Sequence, residues 1–175
     1  METGQAETGR VETGQAEAGH TETRQVETAQ AERDPIELGY VDTGSPRRPR
    51  SDSLEFGPLA GAVPSARLHA RYVLMEWGLG AIAENAELVV SELVTNAVQA
   101  TWHAGTCDPV RLSLLADDRS VLVVVSDAVP DPPRPRRAGP GDEEGRGLTI
   151  VGKVSDWWDW KPARGGKLVR ALVAR

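Results

Sequence analysis

A single cysteine, Cys107, is the only thiol in the 175 residues, and a single phenylalanine stands among aromatics that make up 5% of the chain. One thiol excludes an internal disulfide and a cysteine-based zinc cage, since each needs at least two thiolates. Cys107 falls in a loop sequence with no activating base beside it, so an inert thiol is expected. No run approaches the roughly 18 apolar residues of a membrane-spanning helix. The N-terminus also lacks the basic and then apolar segments of a signal peptide, and the expectation is a cytoplasmic protein that makes no membrane contact. An excess of basic residues is missing too. Twenty-six acidic against twenty basic residues give a net charge of −6, which argues against coating nucleic acid. No GxxxxGK[ST] segment occurs, so a P-loop is excluded. Hydrophobic residues make up 39% of the chain, low for one folded from end to end, so part of it is expected not to fold.

That part is the N-terminus. ETGQAETGRV from Glu2, ETGQAEAGHT from Glu12 and ETRQVETAQA from Glu22 repeat with a period of ten residues, too short for a solenoid unit. Each copy is mostly Glu, Gln, Thr and Gly and cannot offset the entropy of ordering the chain. Residues 1–50 are read as a disordered or weakly helical tail, with the Arg-Arg-Pro-Arg cluster at 47–50 as its linker end. A folded domain is expected over residues 53–175.

Within the domain, residues 84–103 (ENAELVVSELVTNAVQATWH) carry apolar residues three and four apart, the signature of an amphipathic helix. Ala86, Val90, Leu93, Val94, Ala97 and Val98 share the side to be buried. Asn85, Glu92, Asn96, Gln99 and His103 form a polar stripe opposite. Before this helix, Leu54-Glu55-Phe56 alternates as a short strand, and Pro64-Ser65 opens a helix over 65–77 that Gly78 and Gly80 stop. After it, residues 110–116 and 120–126 read as two strands of a tight antiparallel hairpin, the second central because it is so uniformly β-branched. Residues 128–144 form a long Pro-, Gly- and Arg-rich connection of the kind that serves as a lid or is disordered. A short helix over 147–154 and closing strands at 156–160 and 167–173 complete the chain. Helices on one face of a mixed, mainly antiparallel sheet make a two-layer α/β sandwich.

Glu92 and Asn96 lie one helical turn apart, so their side chains can converge on one point. A carboxylate beside a carboxamide suits hydrated Mg²⁺, or a hydroxyl awaiting deprotonation; a solvated helix face looks the same. Asp127 ends a strand at the sheet rim, where it can accept from an exocyclic amine such as adenine's, or close an ordinary turn. Gly145-Arg146-Gly147-Leu148 opens the short helix, where unpaired backbone N–H groups can face phosphate. Trp157, Trp158 and Trp160 lie on one strand as either a docking patch or core. The Arg134-Pro-Arg-Arg run reads as a solvated loop or a phosphate contact.

The succession of a Glu-x-x-x-Asn helix, a strand ending in Asp, a long lid and Gly-x-Gly-Leu resembles the GHKL ATP-binding superfamily, of gyrase and histidine-kinase type. SELVTNAV is similar to the form found in anti-sigma-factor serine/threonine kinases. The resemblance implies a Bergerat-type ATP-binding fold, with ATP and Mg²⁺ as cofactors. It implies that Glu92 is the general base, that Asn96 is the Mg²⁺ ligand, and that Asp127 accepts the adenine amine. Gly145, Arg146, Gly147 and Leu148 would lie by the phosphates, and Lys167, after Gly165-Gly166, near the nucleotide. The implied partners are an anti-anti-sigma (STAS-type) protein, phosphorylated on Ser or Thr, and a sigma factor, with a homodimer as the implied assembly. A non-catalytic nucleotide-binding switch and a simple ATPase are the alternatives.

The sequence departs from the family pattern after Asp127, where Ala128-Val129-Pro130 replaces an Asp-x-Gly glycine. Val129 is expected to narrow the base pocket. Ala100 stands where many relatives carry His. No helix pair with a phospho-accepting histidine is present, and His69 is expected to be a surface or packing residue.

Overall fold

The computed structural model describes residues 50–133 and 146–175, all within one unit of the chain that spans Arg33–Arg175. The sheet grows from the hairpin of β2 (Val110–Ala116) and β3 (Ser120–Asp127). Asp117 sets the turn, its Oδ1 accepting from the backbone N–H groups of Arg119 and Ser120 at 2.7 Å each. This is the local bonding that suits aspartate to turns. β1 (Arg50–Phe56) pairs with β2, β5 (Gly166–Ala174) with β3, and β4 (Trp157–Ala163) forms the far edge. The order β1-β2-β3-β5-β4 is antiparallel at every pairing among the described residues.

Alternation along the strands divides the apolar side chains between two faces. Leu112, Leu114, Val121, Val123, Val125 and Val169 point into the main core, whereas Leu115, Leu122, Val124 and Leu168 form a smaller cluster on the opposite face. β3 is thus buried on both sides, as its β-branched run requires.

The helices α1 (Ala62–Glu76), α2 (Ala83–His103) and α3 (Gly147–Val154) cover the core face. α2 buries the stripe predicted from spacing, with Val89 and Thr101 added. Each fully buried Val or Leu contributes about 1.5–3 kcal/mol, so this stripe holds the two layers together. α1 begins at Ala62, earlier than expected, because Pro64 is tolerated within a first turn whose N–H groups have no helical partner. Both long helices end on a glycine in the left-handed region, Gly78 at φ 73° and Gly105 at φ 69°. In each case the next residue's N–H reaches back five residues, Leu79 to the Leu74 oxygen at 2.8 Å and Thr106 to that of Thr101 at 3.2 Å. The reversal places Leu79 in the core and absorbs carbonyls that the helix ends would strand.

Several polar residues have roles that hydropathy did not show. Glu87 is buried in α2, where Oε1 accepts from Arg71 Nε of α1 at 2.6 Å. Arg50, read from sequence as linker, is the first residue of β1. Its guanidinium donates to the carbonyl oxygens of Trp77 at 2.6 Å and Asp117 at 2.7 Å. His69 is half-buried and meets Asp52 of β1 at 2.6 Å. The tryptophans divide: Trp158 packs on the core, Trp157 stands on the other face near the Arg170 guanidinium, and Trp160 is partly exposed. No helix among the described residues is long and apolar enough to cross a membrane.

Candidate functional site

Between α2 and the ends of β3 and β5 lies a cavity of about 430 Å³, within the size range of small-molecule sites. Its apolar walls include Leu93, Val125, Leu148 and Val169; Asp127 and Lys167 are its buried polar residues, and Asn96 is half-buried. Four of the residues singled out from sequence, Asn96, Asp127, Leu148 and Lys167, therefore share one wall system.

Asp127 and Lys167 face each other in the β3–β5 register. Lys167 Nζ donates to Asp127 Oδ1 at 2.8 Å and to the Val129 oxygen at 3.0 Å, and the Val129 N–H donates to the same Oδ1 at 2.9 Å. Both side chains are enclosed, at 5% and 1% exposure. Asp127 Oδ2 is buried and has no hydrogen-bond partner among the described residues. A charged oxygen left this way is costly unless something in the cavity donates to it. Val129 does line the cavity, but its backbone is tied to the ion pair, and the pocket stays open beside it.

The two strands can approach this closely because of Gly166. A Cβ there would sit 1.9 Å from the Asp127 carbonyl oxygen and 2.8 Å from Ala128 Cα. The sequence showed Gly165-Gly166 only as a turn. Gly165 is indeed the turn residue, at φ 81°. Gly166 has a different task, which is to let backbone meet backbone.

At the other end, α3 packs against α2 so that a Cβ on Gly147 would lie 2.5 Å from Glu92 Oε2 and 3.6 Å from Asn96 Nδ2. Gly147 thus brings the α3 N-terminus, with its unpaired N–H groups, against the Glu92–Asn96 turn. Asn96 Nδ2 is buried without a partner among the described residues. Glu92 and Gly147 do not line the cavity; they adjoin it through Asn96, which does. Arg146 is exposed just before α3, its carbonyl accepting from Ile150 N–H at 2.9 Å, and it is not part of the cavity wall. Gly145, the Arg134 run and most of the expected lid lie outside the described residues.

Other wall residues had gone unassigned. Gln99, Ala100 and His103 continue the Asn96 face of α2, and the helical spacing that grouped Gln99 and His103 with Asn96 was the available signal. Asp131, Pro132 and Pro133 line the mouth and had no such signal, since they lie in an irregular loop.

Partial burial pushes the Glu92 carboxyl above its ordinary value, because desolvation disfavours the charged form. The folded state therefore holds this proton more tightly than the unfolded chain does. The stability so contributed is full below the unfolded value and is lost as pH rises through the raised folded one. Glu92→Gln cannot ionise and is expected to flatten that part of the curve and to be the more stable protein at neutral pH. Melting temperatures of both proteins from acid to neutral pH check this; parallel curves would refute it.

The donor set also fits a hard cation. Asn96 supplies an amide whose oxygen and nitrogen can exchange places, and Glu92 a carboxylate. Mg²⁺ characteristically takes one or two such protein oxygens and completes its sphere with waters and substrate phosphates. Among the described residues no three His, Cys, Asp or Glu cluster as a self-sufficient metal cage.

The comparisons agree with this geometry. A family model described as a histidine kinase-like ATPase domain matches residues 56–172, from the end of β1 into β5. No curated protein matches the chain.

Proposed function

This chain belongs to the histidine kinase-like ATPase domain family, an ATP-binding family of GHKL type, and from that premise we propose that it is a protein serine/threonine kinase of the anti-sigma regulatory type. In this reading it transfers the γ-phosphate of ATP to a Ser or Thr of an anti-anti-sigma partner and regulates transcription by holding a sigma factor. The observation that carries the nucleotide site is the pair of unpartnered buried polar atoms, Asp127 Oδ2 and Asn96 Nδ2, on one cavity.

The residues divide the work by position. Asp127 Oδ2 accepts from the exocyclic amine of adenine, and Leu93, Val125 and Val169 cover the ring. Asn96 would hold Mg²⁺, which, when bound, neutralises phosphate charge. The backbone at Gly147 presents the α3 N-terminus to the phosphates. Glu92, whose proton affinity burial has increased, takes the proton of the substrate hydroxyl. The oxygen attacks the γ-phosphorus, the bond to the bridging oxygen breaks, and ADP leaves. Such transfer depends on positioning and charge stabilisation more than on covalent chemistry.

Calorimetric titration of ATP into wild type and Asn96→Ala, with and without Mg²⁺, tests the site. Asn96→Ala is expected to lose at least about tenfold in Mg²⁺-dependent affinity, the weight of one charge-assisted contact. Equal affinities in the two proteins would overturn the assignment.

A second reading, a non-catalytic switch, draws support from Ala128-Val129-Pro130, where family members carry a glycine. Labelled ATP separates the alternatives. The kinase labels a partner protein and Glu92→Gln does not, whereas a simple ATPase releases phosphate without labelling. A switch binds ATP and does neither.

A further inference from the structure

The outer face of the sheet is buried, although among the described residues no helix packs on it. The buried apolar residues of α1, α2 and α3 all belong to the main core. Yet Leu115, Leu122, Val124 and Leu168, on the opposite face, are only 1%, 2%, 2% and 7% exposed. Strand pairing sets Ser51, Leu115, Leu122, Leu172 and Trp157 in one row straight across all five strands. Neighbours within the sheet do not account for the burial of that row. Leu115 is flanked on its own face by Ser51 of β1 and by Ser113 along its own strand, and a serine side chain is too short to cover a leucine. The burial is complete within one copy of the chain, so the cover comes from the chain itself.

Two stretches lie outside the described residues, 1–49 and 134–145. Residues 134–145 follow the end of β3 that is farther from the row, and they contain no Val, Ile, Leu, Met, Phe, Tyr or Trp. Residues 2–31 are the repeat, where Val11 and Val26 are the only apolar side chains larger than alanine. Just beyond the repeat, Ile36, Leu38, Tyr40 and Val41 fall close together, in the unit of the chain that holds the sheet and begins at Arg33. Ile36, Leu38 and Tyr40 alternate with Glu37 and Gly39, so an extended chain puts all three on one side. Residues 42–49 then lead into β1 at Arg50, one residue from the row at Ser51. Fully extended, that connection spans about 28 Å, and β2, β3 and β5 lie only roughly 5–15 Å from β1. We infer that residues 35–41 fold back over the outer face of β2, β3 and β5, seating Ile36, Leu38 and Tyr40 on the Leu115–Leu122–Leu172 row. An apolar row left open on a sheet invites self-association, and this segment closes the face to a second copy of the chain. The folded domain then starts near residue 35, not at β1.

Hydrogen exchange in the full chain tests the inference. The amides of residues 36–41 are expected to exchange at least about tenfold more slowly than those of an unstructured chain. In the full chain, Ile36→Asp/Leu38→Asp sets two carboxylates against the apolar row. It is expected to release the segment, lower the melting temperature and raise the fluorescence of an apolar-surface dye severalfold. Val11→Asp/Val26→Asp, within the repeat, should change neither. Exchange of residues 36–41 in wild type at the unstructured rate overturns the inference, and that measurement does not depend on any variant folding. Sedimentation identifies the other occupant. A wild-type dimer that Ile36→Asp/Leu38→Asp leaves intact, with no gain in dye fluorescence, means that a second copy covers the face and overturns the inference as well.

Discussion

Asp127→Leu and Lys167→Met are each expected to lower folding stability by about 3 kcal/mol or more, and the double variant to recover most of that loss while binding no nucleotide. Each single change leaves one charge enclosed without its partner, and removing one member of a buried pair costs about 3–5 kcal/mol. The exposures of 5% and 1% leave bulk water little means of compensating. The double change removes both desolvation penalties and fills the space with apolar atoms, a replacement that is often neutral or stabilising. Binding should not recover, because the double variant lacks Oδ2, the buried unpartnered oxygen proposed to accept from the base. Urea denaturation of the four proteins and calorimetry with ATP check the two halves. A double variant no more stable than either single one would show that the pair does not act as a unit.

Gly166→Ala is expected to be the most damaging glycine-to-alanine change among the described residues, at about 3 kcal/mol or more. The added Cβ would stand 1.9 Å from the Asp127 carbonyl oxygen and 2.8 Å from Ala128 Cα, backbone atoms at the last residue of the central strand and the one after it, which cannot rotate away. Relief requires β5 to part from β3, which separates Lys167 from Asp127 and should weaken ATP binding as well as folding. Gly165→Ala is the control. Nothing lies within 4 Å of its Cβ, so only its φ of 81° opposes the change, at about 1–2 kcal/mol. Equal stability losses at the two positions, measured by denaturant unfolding, would contradict the close-approach account.

The contrast between Gly147 and Gly166 shows where sequence reading stops. Gly147 stands beside Leu148 at the start of a helix, and its motif alone marked it as a place where a backbone comes close to something. What it approaches within the chain is the Glu92 carboxylate, which lies on another helix. Gly166 looked like half of a turn, since a pair of glycines between strands is explained by the turn alone. The same limit applies to Lys167. Its place near the nucleotide could be inferred from resemblance, but its bond to Asp127 crosses 40 residues of sequence.

By itself the sequence determined the elements and the face that each buries. The α2 stripe, the β-branched β3 and the glycine stop at Gly78 follow from periodicity and backbone sterics, which act over a few residues and can be read locally. It also placed Glu92 beside Asn96, because one helical turn fixes that neighbourhood. Only the tertiary structure decided that Asn96, Asp127, Leu148 and Lys167 surround one cavity, that Arg50 clamps the start of the sheet, and that Oδ2 of Asp127 is the oxygen left free. Those facts depend on strand register and helix packing, set by the whole core at once, and no local pattern of residues contains them.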